Sequence, residues 1–191
     1  MVGLSNQLLI VMNSKRIALL SVLVALSIGI QLLPRPPWNI EFTSFLAFVT
    51  GMVFGAVFGA MLGALVMFVN GFLSSYGFAG VALPFQIAGM VLIGTVGGLY
   101  ARITKGKRPT RALIMEAATL GALLTLVYDV VTNVGTALWM SSSQLPFLQA
   151  FAVALISGSV FSVIHIGWNL FLFGTLTTPL VNAMNRVLAW R

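Results

Sequence analysis

Apolar residues fill this chain in long runs, and the polar residues between them gather in a few short clusters. Runs that long, and that nearly free of charge, are expected to be helices whose solvent is lipid. The first run, Ile17 to Leu33, follows Lys15 and Arg16 and stops at Pro34, Pro36 and Pro37. It exceeds the core of a signal peptide and no small-x-small cleavage pattern follows it, so a retained first helix is predicted. Ahead of it, Leu8 to Met12 reads as an interfacial lead-in. Apolar character then continues from Phe42 to Leu73, Val81 to Ile103, Ala112 to Met140 and Leu148 to Val181.

Charge sets the number of crossings and their direction. Arg102, Lys105, Lys107, Arg108 and Arg111 form the richest basic loop, and the positive-inside rule places it in the cytoplasm together with Lys15 and Arg16. An even number of spans must separate those two sites. The first run and Val81 to Ile103 supply a pair, so Phe42 to Leu73 must cross twice, as a short second and a short third helix joined by a tight turn between Gly51 and Gly63. The fifth helix leads to the polar turn Ser141-Ser142-Ser143-Gln144-Leu145-Pro146, which is external, and the last run returns the chain to Arg186 and Arg191. At ~1.5 Å per residue that last run is too long for one upright span. Ser157, Gly158 and Ser159 are therefore expected to mark a bend, with Leu148 to Ile156 an external cap or tilted extension. The prediction is an all-α integral membrane protein, with six transmembrane helices, both termini in the cytoplasm and a single domain over residues 1–191. Among the basic residues only Arg35 is then external.

Composition supports the lipid solvent: 59% of the residues are apolar and 7% charged, against roughly 25% charged in a soluble domain. A chain of 191 residues is long enough for one bundle and too short for a bundle plus an independent soluble domain. The formal charge of +7, from ten basic and three acidic residues, fits cytoplasmic anchoring loops better than nucleic acid. With no cysteine, disulfides, thiolate metal sites and thiol catalysis are excluded. No metal or cofactor is expected.

The polar residues inside the runs are few enough to examine singly. Asp129 is the only acid well inside an apolar helix, where an ionised carboxylate costs at least ~2.5 to 3.5 kcal/mol at the bilayer centre, so it should face a wet cavity or a partner. Thr125, Asp129, Thr132, Asn133 and Thr136 recur at helical spacing and share one face of the fifth helix. In the sixth, Ser162, His165 and Asn169 repeat the pattern, with Trp168 one position off that face. Two such seams on consecutive antiparallel helices can meet below the outer surface and enclose a pocket open to the outside. The alternative is an interhelical clamp in which Asp129 satisfies His165 or Asn133. A capture site requires a void between the seams. Trp38, Asn39 and Glu41 after the first helix, with Ser74, Ser75 and Tyr76 before the fourth, could form a lid, and Gln86 and Asn70 are weaker ligand-binding candidates. Glu116 suits the N-terminus of the fifth helix and pairs readily with Arg111 or Arg108.

Small residues form a second pattern. Gly51, Gly55, Gly59 and Gly63 recur every fourth residue and would make one stripe on a helix, for close packing or for sliding against neighbours. On the first helix Ser21 and Ala25 form a small-xxx-small pair, with Ala18 one turn earlier on a nearby face, suited to internal packing or to a separate membrane partner.

Phe54-Gly55-Ala56-Val57-Phe58-Gly59-Ala60, Tyr128-Asp129-Val130-Val131-Thr132-Asn133 and His165-Ile166-Gly167-Trp168-Asn169, with the short second and third helices, resemble the substrate-binding S components of energy-coupling factor vitamin importers. The likeness runs from about Arg16 to Arg186. It implies a plasma-membrane protein that captures a vitamin or precursor outside and reorients to release it inward, energised by a separate transmembrane coupling (T) subunit and two ATPases. No GxxxxGK[ST] phosphate loop occurs in the chain itself. In that family a small-residue face on the first helix, commonly Ala-xxx-Ala, docks on the coupling subunit; here Ser21 stands at the first alanine and Ala25 at the second. Asp129, His165, the amides, the hydroxyls and the tryptophans suit a neutral or weakly cationic heteroaromatic ligand better than a polyanion.

The rival readings need more than the chain offers, or a different test. His165-xxx-Asn169 resembles the last motif of the glutamic intramembrane proteases, but their paired glutamates and second histidine are missing. A serine intramembrane protease would need its serine on another segment than Ser157-Gly158-Ser159. An autonomous secondary transporter or channel using Asp129 lacks an obvious inverted repeat. A purely structural subunit would use Asp129 and His165 for assembly alone.

Overall fold

Each apolar run forms a helix, and local chemistry fixes where the helices begin and end. The computed structural model describes residues 14–32, 40–73, 77–106, 110–142 and 145–189, and among them the chain forms six α-helices and no strand. They are α1 (Ser14–Leu32), α2 (Thr43–Phe54), α3 (Ala56–Leu73), α4 (Leu83–Thr104), α5 (Arg111–Ser141) and α6 (Phe147–Ala189), with a 3₁₀ turn, Gly80–Ala82, leading into α4. Thr110 caps α5, its hydroxyl accepting from the Leu113 N–H at 3.2 Å, and Pro84 sits in the first turn of α4, where its missing N–H costs no bond. At the head of α2 the backbone N–H groups of Thr43 and Ser44 both donate to the Glu41 carboxylate. That satisfies two otherwise orphaned donors with a negative charge at the positive end of the helix.

Five of the helices are long and apolar enough to cross a membrane. The exception is α2, whose 12 residues reach only ~18 Å against a hydrocarbon core of ~30 Å. The expected shortness thus falls mainly on α2, since α3 has 18 residues and qualifies as a span. The turn between them is a single residue, Gly55, at φ 100°, a left-handed conformation that favours glycine. The chain reverses there: Gly51 and Gly59, four residues to either side, touch.

Gly51, Gly55, Gly59 and Gly63 therefore do not make one helical stripe, contrary to expectation. Gly51 lies on α2, Gly59 and Gly63 lie on α3, and all three abut α4. A methyl on Gly51 would come within 2.1 Å of the Gly94 carbonyl oxygen, one on Gly94 within 2.2 Å of Gly59, and one on Gly97 within 2.1 Å of the Phe48 oxygen. Three backbones meet here with no room for a side chain, so the glycines serve close packing. Around this seam lies the core: Phe45 and Phe48 of α2, Leu62 and Met67 of α3, Met90 and Ile93 of α4, and Phe173 of α6. The Phe173 ring stands 4.9 Å from that of Phe48 and 5.6 Å from that of Phe45.

These contacts give the direction of each helix. Phe48 with Gly97 and Ser44 with Met90 set α4 parallel to α2, while Gly63 with Met90 and Gly59 with Gly94 set α3 antiparallel to both. Gly89 meets Tyr128 and Gly135 meets Ala82, so α5 opposes α4, and Gly121 with Phe173 and Asp129 with His165 oppose α6 to α5. Gln31 at the end of α1 bonds Thr43 at the start of α2. Neighbours in sequence alternate throughout, and Lys15, Arg16, Arg102, Lys105, Arg111 and Arg186 gather at one end of the bundle.

The sixth helix runs unbroken through Ser157, Gly158 and Ser159 for 43 residues, so Leu148 to Ile156 are a helical extension of it and not a separate cap. Ser157 and Ser159 donate to carbonyls three and four residues back instead of interrupting the helix. Outward-facing apolar residues such as Ile103 and Leu148, 70% and 77% exposed, are what lipid solvates.

Candidate functional site

Where α5, α6 and the head of α2 converge, the two polar seams meet on a third element. The Nδ1 of His165 lies 2.9 Å from Asp129 Oδ1, and its Nε2 lies 3.1 Å from Glu41 Oε1. All three residues are buried. A neutral imidazole has one N–H to offer, so two facing carboxylates are both satisfied by the imidazolium, or by the neutral ring when one acid carries the proton. Asn169, one turn along α6, reaches Glu41 Oε1 at 3.4 Å, and the Trp168 indole N–H donates to the Glu41 carbonyl at 2.9 Å. The Tyr128 ring stands edge-on to the imidazole at 6.0 Å.

Glu41 is the hub. Burial opposes its charge, but the bonds and charge of His165, with the Ser44 N–H, outweigh burial and hold this loop carboxyl well below the usual carboxylate range, at about 2. The same loop is tied to α1, since Thr43 Oγ1 donates to Gln31 Oε1 at 2.7 Å. One short segment, residues 41–44, thus joins α1, α2 and α6 and, through His165, α5.

Of the sequence-predicted residues, the structure brings Asp129, His165, Trp168 and Asn169 together as expected. It corrects one other. Glu41, expected in an external lid, is buried in the cluster, because its carboxylate caps α2 and faces the only histidine. Glu116 accepts from the Tyr100 hydroxyl at 3.4 Å and forms no ion pair with Arg111 among the described residues. Trp38, Asn39, Ser74, Ser75, Tyr76 and Arg108 lie outside the described residues.

The seams also fail to leave a void at the level of Asp129 and His165, where the side chains touch directly. One to two turns from there, away from the basic end, the polar side chains are less deeply buried. Thr132, Asn133 and Thr136 on α5 and Ser162 on α6 are half-buried, as is Gln86 on α4. By the register of Gly89 with Tyr128 and Gly135 with Ala82, Gln86 stands near the level of Thr132. Thr136 also lines a recess of about 310 Å³ with Trp139 and the 3₁₀ turn. Asn70 is half-buried beside the contact of Gly71 with Leu83. Among the described residues three buried acceptors in this region have no hydrogen-bond partner: Asp129 Oδ2, Asn169 Oδ1 and Gln86 Oε1.

A separate feature lies on α1, whose buried residues are only Leu23, Ser27 and Gln31. Ala18, Ser21 and Ala25 are exposed on another face, and Ser21 and Ala25 border an apolar groove of about 840 Å³ against Met61 and Leu65 of α3.

Glu41 was the residue that sequence spacing missed as a site member. Its only signal was an acid just ahead of Thr43-Ser44 at a helix start. A family model described as "ECF transporter, substrate-specific component" matches residues 15–177. No curated protein and no solved structure matches the chain.

Proposed function

We propose that this chain, which belongs to the ECF transporter substrate-specific component family, captures a vitamin or vitamin precursor just outward of the Glu41–His165–Asp129 clamp. The chain is a multi-pass plasma-membrane transporter subunit and not an enzyme, and its family works with T and ATPase subunits. In this reading the basic end of the bundle is cytoplasmic, as are both termini, and all six helices cross, with α2 reaching across through a thinned or protein-covered region.

The observation that carries the reading is the pair of unpartnered acceptors Asp129 Oδ2 and Gln86 Oε1 beside half-buried Thr132, Asn133 and Thr136, with a third, Asn169 Oδ1, one turn inward of His165. Buried acceptors without donors cost ~1 to 3 kcal/mol each. A solute that brings N–H donors or a delocalised positive charge removes that cost, whereas a carboxylate or phosphate adds to it. The ligand class is therefore a neutral or weakly cationic heteroaromatic, with Trp168 and Asn70 as further candidate contacts. The clamp forms the floor, so that inward release requires His165 to part from one of its acids. Binding and partner contact would shift the population between closed and open arrangements.

Ala18, Ser21 and Ala25 provide the docking face for the coupling subunit, because all three are exposed on α1 and Ser21 and Ala25 border an apolar groove. Proteoliposome uptake tests the assignment. Solute should enter only when the T subunit, both ATPases and ATP are present. Uptake by this chain alone would contradict it and favour an autonomous transporter using Asp129.

A further inference from the structure

At the opposite, basic end of the bundle the turn after α4 and the last turns of α6 enclose a cavity of about 320 Å³. Its polar lining comes from Thr104 and Lys105 at the end of α4 and from Thr177, Thr178, Asn182 and Asn185 along α6, above an apolar floor that includes Met52 and Ala117. The chain has three acidic residues, Glu41, Glu116 and Asp129, and none of them lines this space. Thr177 is 4% exposed, and its hydroxyl has no hydrogen-bond partner among the described residues. Lys105 forms no ion pair among the described residues. Arg102, Arg111 and Arg186 stand at the same end and add to the positive field.

We infer that this cavity is a binding site for a phosphate-bearing anion of glycerophosphate size, supplied by an anionic membrane lipid. The donor set is suited to it. An ammonium supplies charge, two carboxamides and the Thr177 hydroxyl supply further donors, and no carboxylate lines the cavity, Glu116 being bonded to the hydroxyl of Tyr100. Basic pockets between helices at the cytoplasmic face take anionic headgroups in this manner, and the apolar neighbours Met52, Leu113 and Val181 leave a wall against which an acyl chain can lie. A bound headgroup would bridge Lys105 at the end of α4 to Thr177, Asn182 and Asn185 of α6. The site is distinct from the outer cluster and does not depend on it.

Native mass spectrometry of the detergent-purified full chain tests this with added phosphatidylglycerol or phosphatidylcholine. Phosphatidylglycerol should remain bound at lipid ratios where phosphatidylcholine does not. Lys105→Gln should weaken retention about fivefold, Asn182→Leu should weaken it as well, and Arg102→Gln, which removes the same charge outside the cavity, should weaken it distinctly less than Lys105→Gln. Displacement of the lipid by glycerol 3-phosphate would show that the phosphate itself is recognised, and resistance to displacement would assign the site to the whole lipid. Equal retention of the two lipids, or equal loss in Lys105→Gln and Arg102→Gln, would overturn the inference.

Discussion

The imidazole Nδ1 of His165 and the carboxylate Oδ1 of Asp129, 36 residues apart in the chain, lie 2.9 Å from each other in the interior of the bundle. That contact holds α5 to α6, and its continuation to Glu41 at 3.1 Å holds both to the head of α2. The burial of this triple sets what can be expected of variants.

Removing the histidine leaves two buried acids facing each other. His165→Ala should lower the unfolding free energy by about 3 to 5 kcal/mol, the range for breaking a buried ion pair from one side. The double variant with Asp129→Asn should lose less than the sum of the two single losses, because the sites share one interaction. Unfolding in mild detergent, followed by tryptophan fluorescence, measures both.

Acid should weaken the fold through Glu41. Its carboxyl is held at about 2 against an ordinary 4.5. A depressed carboxyl contributes stability above the unfolded value and loses it as pH falls towards the folded one. The melting temperature should drop between pH 4.5 and 2, and Glu41→Gln should flatten that drop while lowering the melting temperature at neutral pH.

The glycine seam predicts a contrast between positions of the same residue type. Gly97→Ala puts a methyl 2.1 Å from the Phe48 carbonyl oxygen, whereas around Gly167 nothing lies within 4 Å. Gly97→Ala should destabilise by about 1 to 3 kcal/mol through forced backbone separation. Gly167→Ala should be neutral or stabilising by up to about 1 kcal/mol through helix propensity. Paired thermal melts distinguish the two.

The docking face predicts a loss of assembly without a loss of capture. Ser21→Leu and Ala25→Leu fill a surface that is exposed in the isolated chain. Co-purification with the T subunit should fall at least tenfold, with solute binding by the chain itself unchanged.

Much of this arrangement is legible in the sequence. Long uncharged runs gave the helices, and three- and four-residue spacing put Asp129 and His165 on faces that do meet. What escaped was set by tertiary contacts. Glu41 belongs to no periodic pattern, and its role follows from the helix it caps and the histidine it faces. The four evenly spaced glycines suggested one stripe because spacing carries no information on backbone conformation, and the positive φ of Gly55 divides them between two helices. The partners Gly94, Gly97 and Gly98 could not be matched to them by spacing alone. Ser157, Gly158 and Ser159 suggest a break, yet the serine hydroxyls bond carbonyls of their own helix, which continues through them.

The central claim is that a donor-bearing solute occupies the space outward of the clamp. Mild detergent extraction followed by mass spectrometry of the small molecules retained tests it most directly, on the wild-type chain and on Gln86→Leu and Asn133→Leu. The account predicts a neutral or cationic heteroaromatic at about one per wild-type chain, and its loss from both variants. Retention of only carboxylate or phosphate anions, or of the same solute in equal amount by both variants, would contradict it.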